Sequence, residues 1–492
     1  MIICLSHQQF DVSGTNYFVG TDGDDSKDCT VNLCLTLEAR IIKVMANFAH
    51  VFTVIIRGLT TISSSFDLSE TFPSPRTFRN NPDLSSTLSD IHIYSNGQFI
   101  VTGNALFQTL KFTKLNQATQ NNGGAIYALF NELSCNLQII DCVFVDCKTK
   151  SKGGAFCFET YVKTDTTLKD IAFQHCESQN EGGAFQCSIN NGAKLTIAGS
   201  WSFQDCKTLS DSGYGGALYA SVYGENSQLI FETFIMFERC SGQTGGAMYL
   251  LVQRLGKVTI TEQCNFTNCN SSNIGGSIYL ETNNGTINFN QTEQIFIENC
   301  ACDGCGGGIY CSISNNGQIS FNNMKLSYCN SIRDGGGIYA SINGGGQLIL
   351  DKACEFYQCE CHGNGGGIYT IIDSTTQCTF IIKDASIHEC KSVTDNSLSY
   401  PESGFGGGLF LGTFGNYYPS TELIDLRGIK IYNNSVDKYG QRLYIVMKDV
   451  IEIEKNLRNY DNEIIYPPED GSSNPIQIIG EIESEQTASF GM

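Results

Sequence analysis

The sequence is poor in basic residues and in long apolar runs, and each shortage excludes a class of partner or anchor. Lys and Arg total 30 against 50 Asp and Glu, which gives a formal net charge of −20 over 492 residues. Nucleic acids and anionic membrane surfaces are bound by basic patches, so neither is expected as a partner. No apolar run approaches the roughly 18 residues that a spanning helix needs, so no transmembrane segment is predicted.

Charged residues and proline are also scarce, whereas glycine and cysteine are abundant. Charged residues make up 16 % of the chain, and 8 Pro accompany 51 Gly and 23 Cys. Asn, Ser, Thr, Ile and Phe fill much of the remainder. This composition favours short strands joined by frequent turns rather than helices.

A Gly-Gly element recurs along the chain at a nearly constant interval. Ten copies read Gly-Gly, a small residue, an apolar residue and usually Tyr, and a decayed eleventh copy reads Gly-Gln-Arg-Leu-Tyr. Successive fifth positions lie 30, 29, 33, 30, 30, 31, 29, 30, 41 and 34 residues apart. The longest interval contains an extra segment at 394–402, which we interpret as a loop insertion. Such a period is typical of a solenoid. The fifth positions are Tyr127, Cys157, Gln186, Tyr219, Tyr249, Tyr279, Tyr310, Tyr339, Tyr369, Phe410 and Tyr444.

A second element, an apolar residue followed three places later by cysteine, alternates with the first. Its tenth copy, Ile431 to Asn434, ends in asparagine instead. The nine cysteines define a cysteine column: Cys147, Cys176, Cys206, Cys240, Cys269, Cys300, Cys329, Cys359 and Cys390.

The residues between these elements alternate between apolar and polar over four to six positions, which predicts strands. The fourth position of the Gly-Gly element is always apolar and must face a core, so the fifth faces outward. A single repeat cannot bury its own apolar side chains, but stacked repeats can. We therefore predict an all-β fold, a right-handed parallel β-helix of about 11 or more coils.

The pattern divides the chain into three regions. Residues 1–95 are expected to contain irregular first coils and a short N-terminal capping helix at 34–45. Residues 96–451 carry the regular β-helix, and the acidic residues 452–492 are expected to form a C-terminal cap or tail. Caps are needed because the open ends of a solenoid expose unpaired strand edges.

At these residues the chain resembles the polymorphic outer-membrane protein repeats, which pair Gly-Gly-Ala-Ile with Phe-x-x-Asn. It is also similar to right-handed β-helix surface proteins of protists and to the wider pectin-lyase-like superfamily. The resemblance covers roughly residues 100–450, and the stretch from Tyr17 to Asp25 is similar to the usual beginning of such helices. It implies adhesion and surface display. The chain departs from the pattern where the expected Asn is Cys in nine copies.

The cysteine column places thiols at equivalent turns of successive coils. An asparagine there would hydrogen-bond the turn backbone, whereas cysteine acts mainly as a small buried apolar group. Adjacent coils bring Cα atoms about 4.8 Å apart, within disulfide range, but parallel Cβ vectors would strain the bridge. Buried free thiols are thus predicted, with inter-coil disulfides as the alternative. Cys29 and Cys34 are a separate candidate disulfide.

Two short segments crowd further cysteines together. One contains Cys300, Cys302 and Cys305, and the other contains Cys354, Cys359, Cys361 and His362. Each includes a member of the cysteine column, and the paired spacing of zinc ribbons is absent. We predict neither a metal site nor a cofactor.

The outward fifth positions predict an aromatic ladder along one face. Stacked rings could bind a ligand or a partner protein, and the alternative is that they only shield the sheet. The candidate binding residues are Tyr219, Tyr249, Tyr279, Tyr310, Tyr339 and Tyr369.

A catalytic site is not evident. Glycan lyases and hydrolases need converging carboxylates or a cation with a basic group, and acids such as Asp146, Asp205 and Glu238 are scattered among polar loop positions. The six histidines show no triad spacing. We predict no catalytic residues, and a carbohydrate-active enzyme of the pectin-lyase-like type is the alternative to a scaffold.

The expected function is a non-enzymatic, secreted or cell-surface scaffold with an adhesion or coat role. Its expected partners are carbohydrates or surface proteins. No signal peptide is visible, so either the export signal is missing from the given sequence or the protein stays inside the cell. The cysteine count favours an oxidising compartment and therefore the first alternative. Five candidate N-glycosylation sites agree with export: Asn265, Asn270, Asn284, Asn290 and Asn433.

Overall fold

The computed structural model describes residues 15–26, 34–37, 52–69, 76–81, 88–94, 96–115, 121–133, 135–291, 293–395, 403–415, 421 and 423–446. These residues form about 12 turns of parallel β-solenoid with almost no helix, which confirms the predicted all-β fold. The chain divides into two compact units, Met1–Met236 and Phe237–Met492. The expected tail at 452–492 lies outside the described residues, as does nearly all of the capping helix expected at 34–45.

Each regular turn passes through three faces in a fixed order. The strand that follows the Gly-Gly element belongs to the first face, one longer or two shorter strands form the second, and a short strand after the cysteine column forms the third. One complete turn consists of Ile278–Asn283, Thr286–Phe289, Ile295–Glu298 and Ala301–Cys302. The two sequence elements therefore lie at two of the corners of each turn.

The first unit contains strands of all three faces. Its first-face strands are Ser65–Leu68, Gln98–Val101, Ile126–Phe130, Phe156–Thr160, Phe185–Asn190 and Leu218–Tyr223. Its second-face strands are Thr15–Gly20, Phe52–Arg57, Leu59–Ile62, Arg76–Asn80, Ser89–Ile93, Ala105–Gln108, Leu110–Lys114, Leu137–Val145, Asp165–Gln174, Lys194–Gln204 and Gln228–Glu238, of which the last continues for two residues into the second unit. Its third-face strands are Lys148–Thr149, Glu177–Ser178 and Lys207–Thr208.

The second unit repeats the arrangement. Its first-face strands are Met248–Gln253, Ile278–Asn283, Ile309–Ser314, Ile338–Ile342, Ile368–Asp373, Leu409–Phe414 and Leu443–Val446. Its second-face strands are Lys257–Ile260, Cys264–Thr267, Thr286–Phe289, Ile295–Glu298, Gln318–Asn322, Met324–Ser327, Gln347–Asp351, Glu355–Tyr357, Thr379–Ile382, Ser386–His388, Ile424–Asp425 and Lys430–Tyr432. Its third-face strands are Ser241–Thr244, Asn270–Ile274, Ala301–Cys302, Asn330–Ser331, Glu360–Cys361, Lys391–Ser392 and Ser435–Val436.

Equivalent residues of successive turns pair in register. Phe156 pairs with Phe185 in the first unit. In the second unit Ile278 pairs with Ile309, and Ile309 in turn pairs with Ile338. The alternating pattern predicted this register, because a slip of one residue would turn every apolar side chain outward. Residues about 30 positions apart in sequence are therefore vertical neighbours, so each residue column becomes a surface or core stripe.

The core of each unit consists of stacked apolar columns. In the first unit the ring of Phe173 stacks on Phe144 and Phe203 at centroid distances of 5.2 and 4.8 Å. In the second unit Phe237 and Phe266 stack at 4.7 Å, and both are fully buried. Each buried aromatic side chain contributes on the order of 2–3 kcal/mol through burial alone.

The two glycines of the Gly-Gly element have different reasons to be glycine. The first has a positive φ, +64° at Gly153 and +74° at Gly306, which disfavours any residue with a Cβ. The second approaches the next turn so closely that a methyl group on Gly154 would collide with the carbonyl oxygen of Gly183. The turn onto the first face therefore requires both glycines.

Candidate functional site

The aromatic ladder is continuous through the second unit. Successive ring centroids from Tyr249 through Tyr369 to Phe410 lie 4.6, 5.1, 4.7, 5.0 and 4.7 Å apart, and the planes are within 19° of parallel. Tyr249 and Tyr369 are only 7 % and 5 % exposed. The flat faces of the rings thus cover one another, although this column points away from the core.

Stacking limits what the ladder can bind. A sugar ring packs on the open face of an aromatic ring, and within the column those faces are occupied by neighbouring rings. The hydroxyl of Tyr249 is itself engaged, because it donates to Glu281 Oε2 at 2.9 Å. Burial raises the pKa of Tyr310, Tyr339 and Tyr369 well above the usual range, so these hydroxyls stay protonated donors.

The corresponding column of the first unit is interrupted. Cys157 and Gln186 replace the tyrosines between Tyr127 and Tyr219, and both are fully buried. The thiol of Cys157 donates to Gln186 Oε1 at 2.8 Å, and Gln186 Nε2 donates to the Ser188 hydroxyl at 2.8 Å. A buried hydrogen-bond chain thus takes the place of ring stacking.

Charged side chains surround this interruption, and we call Tyr127, Lys152, Glu159 and Glu181 the interruption cluster. The hydroxyl of Tyr127 donates to Glu159 Oε2 at 3.0 Å, and Lys152 Nζ lies 3.0 Å from Glu181 Oε2. Burial opposes the charge of Lys152, but Glu181 and Glu159 together raise the pKa of that lysine. Two carboxylates and one lysine therefore meet on adjacent turns. The repeat pattern did not indicate this cluster, because Glu159 occupies a different repeat position from Lys152 and Glu181.

The cysteine column lies at the corner between the second and third faces, and its nine members are buried free thiols. The residue before each column position is left-handed, with φ between 48° and 56°. This single residue turns the chain, and the sequence reasoning overlooked it because its identity varies. Its ten occurrences are Asp146, His175, Asp205, Arg239, Asn268, Asn299, Tyr328, Gln358, Glu389 and Asn433.

Each thiol lies against the backbone of the preceding turn in place of an amide. Cys329 Sγ is 3.6 Å from the carbonyl oxygen of Ile297, and Cys390 Sγ is 3.6 Å from that of Phe356. At the tenth position, Asn434 Nδ2 donates to the equivalent carbonyl, that of Ile387, at 3.0 Å. Its Oδ1 also accepts the backbone N–H of Cys390 at 2.8 Å. At the other nine corners a thiol thus occupies the place that asparagine has at the tenth, and the hydrogen bonds of the thiol are weaker.

Three members of the cysteine column are poor nucleophiles. Burial raises the pKa of Cys176, Cys269 and Cys300 well above the usual range. A thiol with a raised pKa contributes little thiolate at neutral pH, and the thiolate is the reactive form. These cysteines therefore serve the packing of the corner.

The remaining cysteine predictions fall outside this column. Cys34 is disulfide-bonded, while its candidate partner Cys29 lies outside the described residues, so that pairing stays a prediction. Cys302, Cys305 and Cys361 are free, and His362 Nε2 pairs with Glu360 at 3.6 Å. Within the described ranges no group of three or more His, Cys, Asp or Glu side chains is arranged to hold a metal ion.

A second polar group forms on the second face of the second unit, and we call Lys325, Glu355, His388 and Glu389 the His388 cluster. Glu355 accepts from Lys325 Nζ at 3.0 Å and lies 3.2 Å from His388 Nε2. Burial opposes ionisation of Glu355, but these two partners lower its pKa below the usual value. The in-register pairing of Lys325 with Glu355 could have been found by aligning the repeats.

The acids singled out from the sequence do not converge. Asp146 and Asp205 lie on either side of His175, at 3.7 and 3.6 Å from its two ring nitrogens. All three are substantially exposed, and Glu238 pairs with its neighbour Arg239. These contacts are surface ion pairs, which contribute little to stability.

The candidate glycosylation residues differ in accessibility. Asn270, Asn284, Asn290 and Asn433 are exposed, whereas Asn265 is half-buried and its Oδ1 is enclosed without a hydrogen-bond partner. An oligosaccharide could therefore be attached to four of the five without displacing packed atoms.

No family model, curated protein or solved structure matches this chain. In the part of the chain that the structure describes, no helix has the length and apolar character needed to cross a membrane.

Proposed function

We propose that the protein is a non-enzymatic scaffold that displays side-chain columns for adhesion or for assembly of a surface coat. The observation that carries this proposal is the continuous aromatic ladder of the second unit, in which neighbouring rings cover one another's faces. Such a surface suits contact with a large partner better than enclosure of a small substrate. We also infer kinship with the polymorphic outer-membrane protein repeats and the pectin-lyase-like superfamily from the paired sequence elements.

We further propose that the scaffold is secreted or displayed at the cell surface. The exposed sequon asparagines and the disulfide-bonded Cys34 support this location. The cysteine column adds no support, because its thiols are free and fill corners of the fold. The number of cysteines alone therefore does not indicate an oxidising compartment.

Removing hydroxyls from the ladder tests the adhesion role. The triple variant Tyr279→Phe, Tyr310→Phe and Tyr339→Phe keeps the stacked rings, so its melting temperature should match that of the wild type. Binding of the labelled full chain to cell surfaces, measured by flow cytometry, should fall several-fold. Tyr223→Phe, which changes a tyrosine outside the ladder, is the matched control. If the wild type, the triple variant and Tyr223→Phe bind cells equally, the ladder hydroxyls have no role in adhesion.

The second candidate function is a carbohydrate-active enzyme, and the interruption cluster is the observation that favours it. Glu159 and Glu181 supply two carboxylates beside a lysine and a phenol, which are groups that acid–base cleavage of a glycosidic bond requires. If the protein is such an enzyme, incubating it with a panel of neutral and acidic polysaccharides should produce new reducing ends. Glu159→Gln and Glu181→Gln should each abolish that release, whereas Glu225→Gln, an exposed residue of the same unit, should not. If the wild-type protein releases no reducing ends, the enzyme candidate is rejected and the scaffold proposal stands.

A further inference from the structure

The imidazole of His388 lies between two tyrosine rings on the second face of the second unit. Its centroid is 5.0 Å from that of Tyr357 and 4.9 Å from that of Tyr432. These three residues are vertical neighbours, since Tyr357 pairs with His388 and His388 pairs with Tyr432 in the parallel register. The histidine side chain is only 13 % exposed.

Both nitrogens of this ring face carboxylates. Nε2 lies 3.2 Å from Glu355 Oε1, and Nδ1 lies 3.7 Å from Glu389 Oε1. Nδ1 is enclosed and makes no hydrogen bond of normal length. The histidine is thus positioned between two acceptors.

The carboxylates are themselves held in place by neighbouring side chains. Lys325 Nζ lies 3.0 Å from Glu355 Oε2, and Gln358 Nε2 donates to Glu389 Oε2 at 2.8 Å. The ring of Tyr328 meets that of Tyr357 edge-on at 5.5 Å, and Lys325 lies 5.6 Å from the Tyr357 centroid. The charged and titratable groups around the imidazole are therefore Glu355, Glu389, Lys325, Tyr328, Tyr357 and Tyr432.

This arrangement suits only one protonation state of the ring. A neutral imidazole has one N–H donor and one nitrogen lone pair, whereas an ionised carboxylate only accepts hydrogen bonds. Neutral His388 must therefore point a lone pair at one of the two carboxylates. The imidazolium donates toward both, and its charge is also favoured by the flanking aromatic rings.

We propose that His388 is a pH-sensitive clasp that secures the turn containing Tyr432 to the two turns before it when the ring takes up a proton. Histidine changes charge between about pH 8 and pH 5, so the clasp closes on mild acidification. Its three turns carry the last second-face strands among the described residues of the unit. Acid therefore tightens this end of the unit.

The sign of the effect follows from proton linkage. A histidine that gains partners in the folded state contributes stability at low pH that is lost as pH rises through its titration. Glu355 acts in the opposite direction, because its lowered pKa contributes stability that is lost only when pH falls below its usual range.

Amide hydrogen exchange on the full chain tests the proposal locally. Protection of Lys430–Tyr432, corrected for the intrinsic pH dependence of exchange, should be on the order of threefold or more higher at pH 6 than at pH 8. Protection of Met248–Gln253, a strand of the same unit that lies outside the cluster, should not change. If the protection of Lys430–Tyr432 is equal at the two pH values, the proposal is overturned without recourse to any variant.

Two variants assign the effect to this residue. His388→Gln should remove the pH dependence of protection at Lys430–Tyr432, because the amide cannot take up a proton in this range. His362→Gln, which alters an exposed histidine of the same unit with a single partner at 3.6 Å, should retain it. Should His388→Gln fail to fold, Glu389→Gln provides the second test and should reduce the pH dependence while leaving the imidazole in place. Retention of the full dependence in either cluster variant contradicts the clasp.

Discussion

Asp334 occupies the position before the Gly-Gly element of its turn, where its carboxyl is withdrawn from water. Burial raises the pKa of this group to about 6, even though the backbone N–H of Asn364 donates to its Oδ1 at 2.8 Å and Arg333 favours the charge. An ionised carboxylate at neutral pH is therefore held at a cost to the folded state. Such single residues are where this regular fold departs from its own pattern.

Replacing Asp334 with asparagine should stabilise the protein at neutral pH. The folded-state pKa is raised, so the stability that the acid form provides is present below pH 3.8 and lost as pH rises through about 6. Asparagine keeps the acceptor for Asn364 without the charge, so Asp334→Asn should gain about 1–3 kcal/mol at pH 7.5. Denaturant unfolding at pH 7.5 and pH 4 measures the difference, which should vanish at pH 4. Asp303→Asn removes an exposed charge nearby and should change stability by less than about 0.5 kcal/mol.

The thiol at the end of the cysteine column should be replaceable by asparagine. Cys390→Asn would extend the pattern set by Asn434, whose amide both donates to and accepts from the preceding turn. We expect a free energy of unfolding within about 1 kcal/mol of the wild type, because stronger hydrogen bonds offset the larger side chain. Cys390→Leu, which is larger and forms no hydrogen bond, should cost about 1–3 kcal/mol. A greater loss for asparagine than for leucine would contradict the equivalence of thiol and amide.

Among the elements of a solenoid turn, the corner residues determine the path of the chain more than the strand residues do. Third-face strands such as Ala301–Cys302 are two residues long, and their direction is imposed by the left-handed residue and the cysteine before them. The Gly-Gly element imposes the next corner in the same way. Because each corner permits few residue types, the two motifs stay recognisable while the strands between them vary.

Substitution of the second glycine should therefore be far more damaging than substitution of a strand glycine. A methyl group on Gly307 would collide with the carbonyl oxygen of Gly336, and backbone on both turns would have to shift. Gly307→Ala should lower the free energy of unfolding by at least about 2 kcal/mol. Gly412→Ala is the matched control, because the nearest atom to its added methyl group is a side-chain carbon at 3.4 Å. Thermal unfolding of both variants measures the contrast, and equal losses would show that the close approach is not limiting.

Over the described residues as a whole, nearly all cysteines are packing residues, and Cys34 is the disulfide-bonded exception. Twenty described cysteines are free, and all of them except Cys305 are buried. Solenoid turns are joined by continuous parallel ladders and by stacked side chains, so the fold does not depend on disulfides for its cohesion.

A thiol titration checks this description. The native protein should react only slowly with an aromatic disulfide reagent, whereas the unreduced protein in denaturant should expose at least 20 thiols. Prior reduction should raise that number only by the disulfide that includes Cys34. A count well below 20 without reduction would show that inter-turn disulfides form, which was the alternative considered for the cysteine column.

The residue pattern alone was enough to establish the solenoid, its register and the residues of each column. A period of about 30 residues with alternating apolar positions can bury its core only by stacking equivalent residues, so Ile278 had to meet Ile309. The identities of the vertical neighbours in the aromatic ladder and the cysteine column followed directly from that alignment.

Only the tertiary structure decided which polar side chains meet and how exposed they are. Glu159 and Glu181 occupy different repeat positions, and their approach to Lys152 depends on how the corner and the first face fold together. The tyrosines were expected to face water, yet stacking buries most of their surface because the spacing of turns matches the contact distance of aromatic rings. Periodicity fixes the order of residues along a column, whereas contacts between columns depend on three-dimensional distances that a one-dimensional pattern does not contain.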